Sequence, residues 1–150
     1  MDQPPTQYFN YDMLRYIKTV SDPDISPDES CIAYTLGWID TDTFTNKSRI
    51  MGITSDSHLA KELTSGEKDS APKFSPDGQV LAFLRVDEND KRQIMVSPVS
   101  GSHPQQITEQ AEGILEFDWS PSSNKLVFSS LAESDINSGD TGTSENSPVK

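Results

Sequence analysis

The chain has 150 residues, 33% of them hydrophobic and 24% charged, which is typical of a soluble protein of about one ordinary domain. Its 24 acidic and 12 basic residues give a formal net charge of −12, which repels nucleic-acid phosphates and anionic lipids, so we expect no nucleic-acid and no membrane partner. The single cysteine, Cys31, excludes an internal disulfide and favours a reducing, cytoplasmic location.

The N-terminal residues 1–9 are predicted to be flexible, and they lack the basic and apolar regions of a secretory signal. Residues 10–19 are predicted to form a short helix. Asn10 can cap it by accepting a backbone N–H, and Leu14 and Ile17 share one face at helical spacing. Because so short a helix is marginal alone, it must pack on something. It either seals the edge of the following β structure or contacts a partner domain.

A phrase consisting of Ser-Pro, a turn and an apolar strand occurs three times. The serines of the copies, Ser26, Ser75 and Ser120, lie 49 and 45 positions apart, a period typical of propeller blades and related arrays. The predicted fold class is therefore all-β. Residues 20–131 are expected to form a β-propeller fragment with two full four-stranded blades and the start of a third.

The middle copy shows the blade pattern in full. Pro76, Asp77 and Gly78 suit successive positions of a tight turn, since proline presets φ and glycine accepts a positive φ. The apolar run at residues 80–84 is far shorter than the roughly 20 residues of a transmembrane helix and fits a buried strand. The four strands are predicted at residues 71–75, 80–86, 93–96 and 105–108.

The flanking copies follow the same order, and Leu63-Thr64 and Ile107-Thr108 are expected to be equivalent strand endings. Residues 132–150 are rich in Ser, Gly, Asp, Asn and Thr and are predicted to be a disordered tail or a truncated insertion. The remaining strands are predicted at residues 31–39, 48–54 and 61–64 of the first copy and 115–119 and 125–130 of the third.

We assign no residue to catalysis. The pentapeptide G-x-S-x-G, which places the nucleophile of an α/β-hydrolase on a strained turn, does not occur in the 150 residues. Residues 65–68 and 122–125 match the pattern S-x-x-K, but both segments fall in predicted turns and lack the companion motifs. Since such short motifs often match by accident, we expect no catalytic serine in this chain.

We also assign no cofactor and no metal site. His58 and His103 lie in turns, without a cysteine or second histidine at ligand spacing, and are expected to be exposed turn residues. The acidic hairpin at residues 87–90 lacks the glycine and the closing glutamate of a calcium-binding loop and is interpreted as a solvated turn. The glycosylation sequon at residues 46–48 is expected to be silent without a secretory signal.

The remaining unusual residues are interpreted as structural. Cys31 is expected to be a buried strand residue. Trp38 has no counterpart in the other copies, and the repeat pattern does not explain it. The aromatic residues at repeat positions are expected to pack in the core: Phe74, Phe83, Phe117, Trp119 and Phe128.

Two segments carry a resemblance to a known family. Residues 74–83, F-S-P-D-G-Q-V-L-A-F, and the preamble at residues 20–28, V-S-D-P-D-I-S-P-D, resemble the N-terminal end of a prolyl oligopeptidase family serine peptidase, most similar to the acylaminoacyl-peptidase branch. The likeness covers about residues 10–130. Two turns depart from the family phrase: Glu29 replaces the turn glycine in the first copy, and Ser122-Ser123 replaces Asp-Gly in the third.

This resemblance implies that the propeller sits over the mouth of a C-terminal α/β-hydrolase domain, filters peptide substrates by size and packs its N-terminal helix on that domain. The catalytic residues would lie beyond Lys150, so we expect no activity from the chain alone. The alternative is a protein-binding module, because TolB-type propellers share the S-P-D-G phrase. Either way, the last blade should have an uncovered apolar face that promotes aggregation or partial disorder.

Overall fold

The computed structural model describes residues 11–57, 59–101 and 103–131, and this part of the chain consists of a 3₁₀ helix and ten strands. The predictions for residues 1–9, the Asn10 cap, the Leu14 side chain, His58 and residues 132–150 fall outside what the structure describes. No helix in the described part is long and apolar enough to span a bilayer.

The strands form three separate antiparallel sheets, one for each copy of the repeat. Blade 1 contains β1 (Lys18–Ile25), β2 (Cys31–Asp40), β3 (Thr45–Thr54) and β4 (Ala60–Glu62). Neighbours along the chain are also neighbours in the sheet. This up-and-down order is the blade topology that the repeat predicts, so the all-β prediction is confirmed.

Blades 2 and 3 follow the same order. Blade 2 pairs its four strands consecutively, and blade 3 contributes two strands within the described residues. Their bounds are β5 (Asp69–Phe74), β6 (Val80–Val86), β7 (Arg92–Pro98), β8 (Gln105–Gln106), β9 (Ile114–Trp119) and β10 (Leu126–Ser130).

The N-terminal helix is shorter than predicted. Residues 10–19 were expected to be helical, but the 3₁₀ helix covers only Tyr11–Tyr16 and β1 begins at Lys18. Thr19 and Val20 pair with the central strand β2, where β-branched side chains are favoured. Pairing with β2 therefore places in a strand the residues that the helix prediction assigns to the last helical turn.

The outer strands are also shorter than predicted, and the reason is the same in both complete blades. The hydroxyls of Thr64 and Thr108 accept hydrogen bonds from the backbone N–H groups of Ile50 and Ile94, at 3.2 and 2.8 Å. At the end of each outer strand, a threonine hydroxyl thus takes the place of a backbone carbonyl as the hydrogen-bond acceptor. These bonds lie 44 positions apart, which confirms that the two strand endings are equivalent.

The core lies on both faces of blade 2, because side chains alternate between the faces of a strand. Leu81, Phe83 and Met95 pack against Ala33 and Ile50 of blade 1. On the opposite face, Ala82, Leu84 and Ile94 pack against Ile114 and Phe117 of blade 3. Burying each large side chain of this kind contributes about 1.5–3 kcal/mol. Blade 2 is therefore the element that joins the other two.

The aromatic residues expected in the core divide into two groups. Phe74, Phe83 and Phe117 are buried, and Trp119 is partly buried against the second cluster. Phe128 is 39% exposed. The prediction that Phe128 lies in the core is therefore wrong within the described residues, which include no further strand beside β10.

The three Ser-Pro turns share one hydrogen-bond pattern. The backbone N–H of Ser26, Ser75 and Ser120 donates to the carbonyl five positions later, at 2.8 Å in every copy. Each serine hydroxyl accepts a second bond from the N–H of that same residue, at 2.9, 3.0 and 3.1 Å. A single serine thus closes each turn through its backbone and its side chain.

The turns also share a left-handed residue three positions after the serine. This residue is Gly78 in the middle copy, with φ of 71°, but Glu29 and Ser123 in the flanking copies, with φ of 59° and 60°. A side chain in this region costs about 1–2 kcal/mol, which glycine avoids. The departures from the family phrase therefore strain the turns but keep their geometry.

Glycine at the two strained turns should stabilise the chain. We expect Glu29→Gly and Ser123→Gly each to raise the free energy of unfolding by about 0.5–1 kcal/mol, because they relieve left-handed strain. Gly78→Ala should lower it by about 1 kcal/mol. Urea unfolding measures all three changes. Glu88→Gly, in an exposed turn without positive φ, is the control and should not stabilise; a gain there equal to that of Glu29→Gly would contradict the explanation.

The carboxylates of the same turns should make the stability of the chain depend on pH in the acid range. A hydrogen bond from the Ser75 hydroxyl is the main cause that lowers the pKa of Asp77 below its ordinary value, and Ser26 acts likewise on Asp28. Such a carboxylate stabilises the fold above its unfolded pKa of about 3.9, and this contribution is lost as the pH falls through the lower folded pKa.

Thermal melts of Asp77→Asn across the acid range test this link. The variant should lose less stability than the original chain between neutral pH and pH of about 3, because it has no carboxylate to protonate at this turn. Glu88→Gln removes an exposed carboxylate of equal charge and serves as the control. Parallel pH profiles for Asp77→Asn and the original chain would refute the proposed linkage.

Candidate functional site

The two candidate catalytic motifs lie far apart in the sequence: residues 65–68 belong to the irregular connection between β4 and β5 and not to the predicted turn, whereas residues 122–125 belong to the third Ser-Pro turn. In the first S-x-x-K match, Ser65 is exposed and the Lys68 ammonium binds Asp90 at 2.9 Å. In the second, the Ser122 hydroxyl donates to Asn124 at 2.8 Å inside the third Ser-Pro turn. These contacts give both motifs a structural role.

The acidic hairpin of blade 2 is organised by one carboxylate. Asp87 Oδ1 accepts the backbone N–H groups of Asn89 and Lys91, both at 2.9 Å. The bond from Lys91 is the main cause that lowers the pKa of Asp87. Among residues 11–57, 59–101 and 103–131, no three His, Cys, Asp or Glu side chains are grouped so that they could hold a metal ion.

The other candidate residues are dispersed. His103 is exposed, and Asn46 of the sequon lies in β3 with an exposed side chain. Cys31 is partly buried against the first core cluster and lines a cavity of about 130 Å³ between blades 1 and 2. Burial is the main cause that raises the pKa of its thiol, and the charge of Asp28 adds to it. The thiol is thus less ionised than an ordinary cysteine.

A larger cleft of about 520 Å³ opens between blades 1 and 2 beside the β2–β3 hairpin. Its lining combines apolar side chains such as Ile17 and Val86 with the hydroxyls of Thr19 and Thr35. Its two cations are already paired, since Lys47 binds Glu67 and Lys68 binds Asp90. The cleft therefore offers shape and hydrogen bonds and little free charge.

A buried glutamine joins three segments of blade 2. The Gln93 side chain is 2% exposed and makes four hydrogen bonds. Its amide donates to Asp87 and to the carbonyl of Gln110, at 3.2 and 2.9 Å. Its oxygen accepts the Thr108 hydroxyl and the Gln110 N–H, both at 3.0 Å. The glutamine thus binds the β6–β7 hairpin to the connection towards blade 3.

Blade 1 has a different pair at the equivalent positions, and this pair explains Trp38. The repeat aligns Trp38 with Asp87, and Arg49 with Gln93. The Arg49 guanidinium lies 5.5 Å from the Trp38 ring centroid and forms an ion pair with Glu62. Its Nε is buried and has no hydrogen-bond partner among the described residues. Asp40 closes the hairpin instead, by accepting the N–H groups of Asp42 and Thr43.

A side-chain hydrogen bond to a backbone group crosses each of the two junctions between described blades. The Asp24 carboxylate accepts the Phe74 N–H at 2.7 Å, between blades 1 and 2. The Trp119 indole donates to the carbonyl of Lys73 at 3.1 Å, between blades 2 and 3. Both bonds join equivalent positions next to the turn serines. Polar groups thus fix the rotation of one blade relative to the next.

A buried ion pair in blade 2 was not predicted from the sequence. Asp69 is completely buried, and both of its oxygens accept bonds from Arg85 on the neighbouring strand, at 2.7 and 2.8 Å. Gly66 N–H donates to the same carboxylate at 3.1 Å, and a Cβ on Gly66 would lie 2.2 Å from it. Only glycine fits this close approach, which holds the connection between blades 1 and 2.

Two blade faces remain open in the described part of the chain. We call the surface of a blade that faces the following blade its forward face, and the opposite surface its rear face. On the rear face of blade 1, Ile32 is 42% exposed and Tyr34 is partly exposed, although their equivalents Leu81 and Phe83 are buried. On the forward face of blade 3, Val127 is 66% exposed.

Sequence comparison identifies one informative relative. No protein-family model matches the chain. The uncharacterized peptidase YuxL of Bacillus subtilis (strain 168) is 31% identical over 124 residues, which are 81% of this chain and 19% of YuxL. The chain thus spans about a fifth of the length of this curated relative.

Structural comparison supports the fold. Acylaminoacyl peptidase from Pyrococcus horikoshii superposes with a TM-score of 0.73 at 20% identity, over 89% of this chain and 20% of that one. A putative TolB from Agrobacterium tumefaciens gives 0.61 at 28% identity, over 79% and 40%. The β-propeller domain of the Trilobed protease from Pyrococcus furiosus gives 0.62 at 24% identity, over 74% and 33%. The chain therefore has the fold of propeller blades.

Removing the buried glutamine should loosen the connection between blades 2 and 3. We expect Gln93→Met to lower the free energy of unfolding by about 2–3 kcal/mol, because buried partners lose their hydrogen bonds. Chemical denaturation measures the loss. The control Gln105→Met, on the exposed outer strand, should change stability by less than about 0.5 kcal/mol. Equal effects of the two variants would show that the Gln93 network does not hold the blades.

Proposed function

This chain is a β-propeller segment of the kind carried by prolyl oligopeptidase family peptidases, and we propose that it forms the substrate-gating propeller portion of a serine peptidase that acts on peptides. The observation that carries the proposal is the 31% identity to the peptidase YuxL, which extends over 81% of the chain. That span includes the propeller repeats, which makes chance similarity of one short motif a poor explanation.

In this proposal the chain supplies the barrier and an α/β-hydrolase domain of the same parent protein supplies the chemistry. The matched region is only 19% of YuxL, which leaves ample length for such a domain in a protein of that type. The locked junctions support a barrier role, because the bonds of Asp24 and Trp119 resist rotation of one blade against the next. Peptides would then reach the active site only by passing the propeller.

The proposal places the parent protein in the cytoplasm. Cys31 is the only cysteine of the 150 residues, so this segment needs no oxidising compartment for its stability. Its thiol lies in an interblade cavity with a raised pKa, which slows oxidation.

A second candidate function is a protein-binding propeller without a hydrolase domain. The observation that favours it is the 28% identity to the putative TolB, of which the chain covers 40%. In that case the open ends of the blades would contact a partner protein. The two candidates differ in one respect that can be measured: only the first includes a reactive serine in the parent polypeptide.

Activity-based labelling separates these candidates. An antibody raised against residues 72–93 captures the native polypeptide that contains this sequence, and a fluorophosphonate probe then labels any reactive serine. We expect a labelled band several times larger than 16.6 kDa. The purified 150-residue chain, treated in parallel, should remain unlabelled.

The controls decide between the remaining outcomes. Prior treatment with an unlabelled fluorophosphonate must abolish the signal, and competition with the immunising peptide must abolish capture. A large band that never reacts would overturn the peptidase proposal in favour of the binding propeller. A native band at 16.6 kDa would overturn the parent-domain arrangement.

A further inference from the structure

We propose that the Glu67 side chain is an ionic latch at the junction of blades 1 and 2, and that one end of this junction opens as the ionic strength rises. We call the end of a blade that carries its β2–β3 or β6–β7 hairpin the hairpin end, and the end that carries its Ser-Pro turn the turn end. Opening at the hairpin end widens the cleft of about 520 Å³ beside the β2–β3 hairpin, which Lys47, Ser48 and Lys68 help to line. The inference concerns contacts inside the stack of blades and does not depend on the peptidase function.

The latch joins blade 1 to the connection between β4 and β5, which leads into blade 2. The Glu67 carboxylate forms an ion pair with the Lys47 ammonium at 2.5 Å, and the Glu67 carbonyl accepts the Ser48 N–H at 2.8 Å. The Glu67 side chain is 70% exposed, so salt ions reach this pair and weaken it. Asp40, which lies 3.8 Å from the Lys47 ammonium at the end of β2, can hold the lysine when the latch is open.

The same connection is held to blade 2 by contacts that salt reaches less easily. Gly66 N–H donates to the completely buried Asp69, which Arg85 binds through both oxygens. The Lys68 carbonyl accepts the Val86 N–H at 3.3 Å. Because a buried ion pair is screened much less than an exposed one, these contacts persist when the latch weakens. The connection thus stays on blade 2 and separates from blade 1.

Apolar packing at this junction is concentrated towards the turn end. Ala33 belongs to the first core cluster, but the next residues of β2 on the same face, towards the hairpin end, are Thr35 and Gly37. The repeat aligns Thr35 with Leu84 of blade 2, which is buried with Ile114 of blade 3. Where the next junction buries a leucine, this junction thus has a threonine that lines the cleft.

The rest of the junction stays closed and acts as the pivot. Near the turn end, Asp24 accepts the Phe74 N–H at 2.7 Å. In the middle of β2, the Thr35 hydroxyl accepts the Ala71 N–H at 3.1 Å. Neither bond involves the connection at residues 65–68. The contacts that opening breaks are therefore those of Glu67 with blade 1.

The junction of blades 2 and 3 has the same ion pair but also a second fastening. The repeat aligns Lys47 with Lys91 and Glu67 with Glu112, and the latter two residues of each alignment also pair, at 3.1 Å. There, however, the buried side chain of Gln93 holds the connection through two further hydrogen bonds, at 2.9 and 3.0 Å. The ion pair is therefore not needed to keep that junction closed.

Blade 1 has a different side chain at the position of this second fastening. The equivalent of Gln93 is Arg49, whose guanidinium binds Glu62 and lies over the Trp38 ring. The exposed ion pair of Glu67 consequently contributes more to closure than its equivalent does at the next junction. Rising salt should open the junction of blades 1 and 2 and leave the junction of blades 2 and 3 closed.

Amide hydrogen exchange of the 150-residue chain, measured by NMR at about 0.02 M and about 0.5 M sodium chloride, tests the latch. The reporter is the Ser48 amide, whose acceptor is the Glu67 carbonyl. Its protection should fall by about threefold or more at the higher salt, because an exposed ion pair is weak and screened. The Gln110 amide, which donates to Gln93, should keep its protection. The contrast is informative because the net charge is −12, so salt favours the compact chain as a whole by screening its self-repulsion.

Two matched charge removals complete the test. Glu67→Gln should lower the protection of the Ser48 amide at low salt by about threefold and remove most of its salt dependence. Glu112→Gln, the equivalent change at the other junction, should alter the protection of the Gln110 amide by less than about twofold, because Gln93 still holds that connection. The side chains of Glu67 and Glu112 are 70% and 39% exposed, so both variants should fold.

Three results would overturn the proposal. The first is a Ser48 amide whose protection does not depend on salt. The second is a Glu112→Gln variant that loosens its junction as much as Glu67→Gln loosens the other. The third is a Gly66 amide that loses protection together with Ser48, since the connection would then leave blade 2 as well and Glu67 would not act as a latch between the blades.

Discussion

One serine in each repeat holds the turn on which the blade depends. Its N–H and its hydroxyl both bond the residue five positions later, which fixes where the first strand ends and the second begins. A slip of one residue would turn every apolar side chain of the second strand to the wrong face. In blade 2 that register places Leu81 and Phe83 towards blade 1 and Ala82 and Leu84 towards blade 3.

Blade 2 is consequently the only blade of the described residues that is covered on both faces, and the stability of the chain concentrates there. The neighbouring blades are held by one apolar face each and by junction bonds such as those of Asp24 and Trp119. Within the described residues, the inner faces of the blades build the stack, and Ile32 of blade 1 and Val127 of blade 3 lie on faces that no other blade covers.

Much of the architecture could be predicted from the sequence, because the period, the turn residues and the apolar strands are local signals. The equivalence of Thr64 and Thr108 was visible in the repeated endings. The sequence could not predict that these threonines leave the strand ladder, since that depends on how each side chain meets a backbone N–H. The end of the N-terminal helix was misjudged because β1 pairs with β2, a non-local interaction.

The site features that escaped prediction are cross-strand pairs. Asp69 and Arg85 meet only because β5 and β6 pair in one particular register. Trp38 has no explanation as a single residue. Its contact with Arg49 explains it, because these two residues stand where the next blade has the hydrogen-bonded pair Asp87 and Gln93. Such exchanges are compensating changes at two distant positions. A single sequence read along the chain does not reveal them.

Amide hydrogen exchange measured by NMR tests most directly the claim that blade 2 is the doubly covered centre of an open stack. The slowest exchange should occur at ladder amides in β6 and β7, and the outer strands β4 and β8 should exchange much faster because each of them pairs with only one strand. Protection in β4 or β8 equal to that in β6, or slowest exchange in blade 1, would contradict this arrangement.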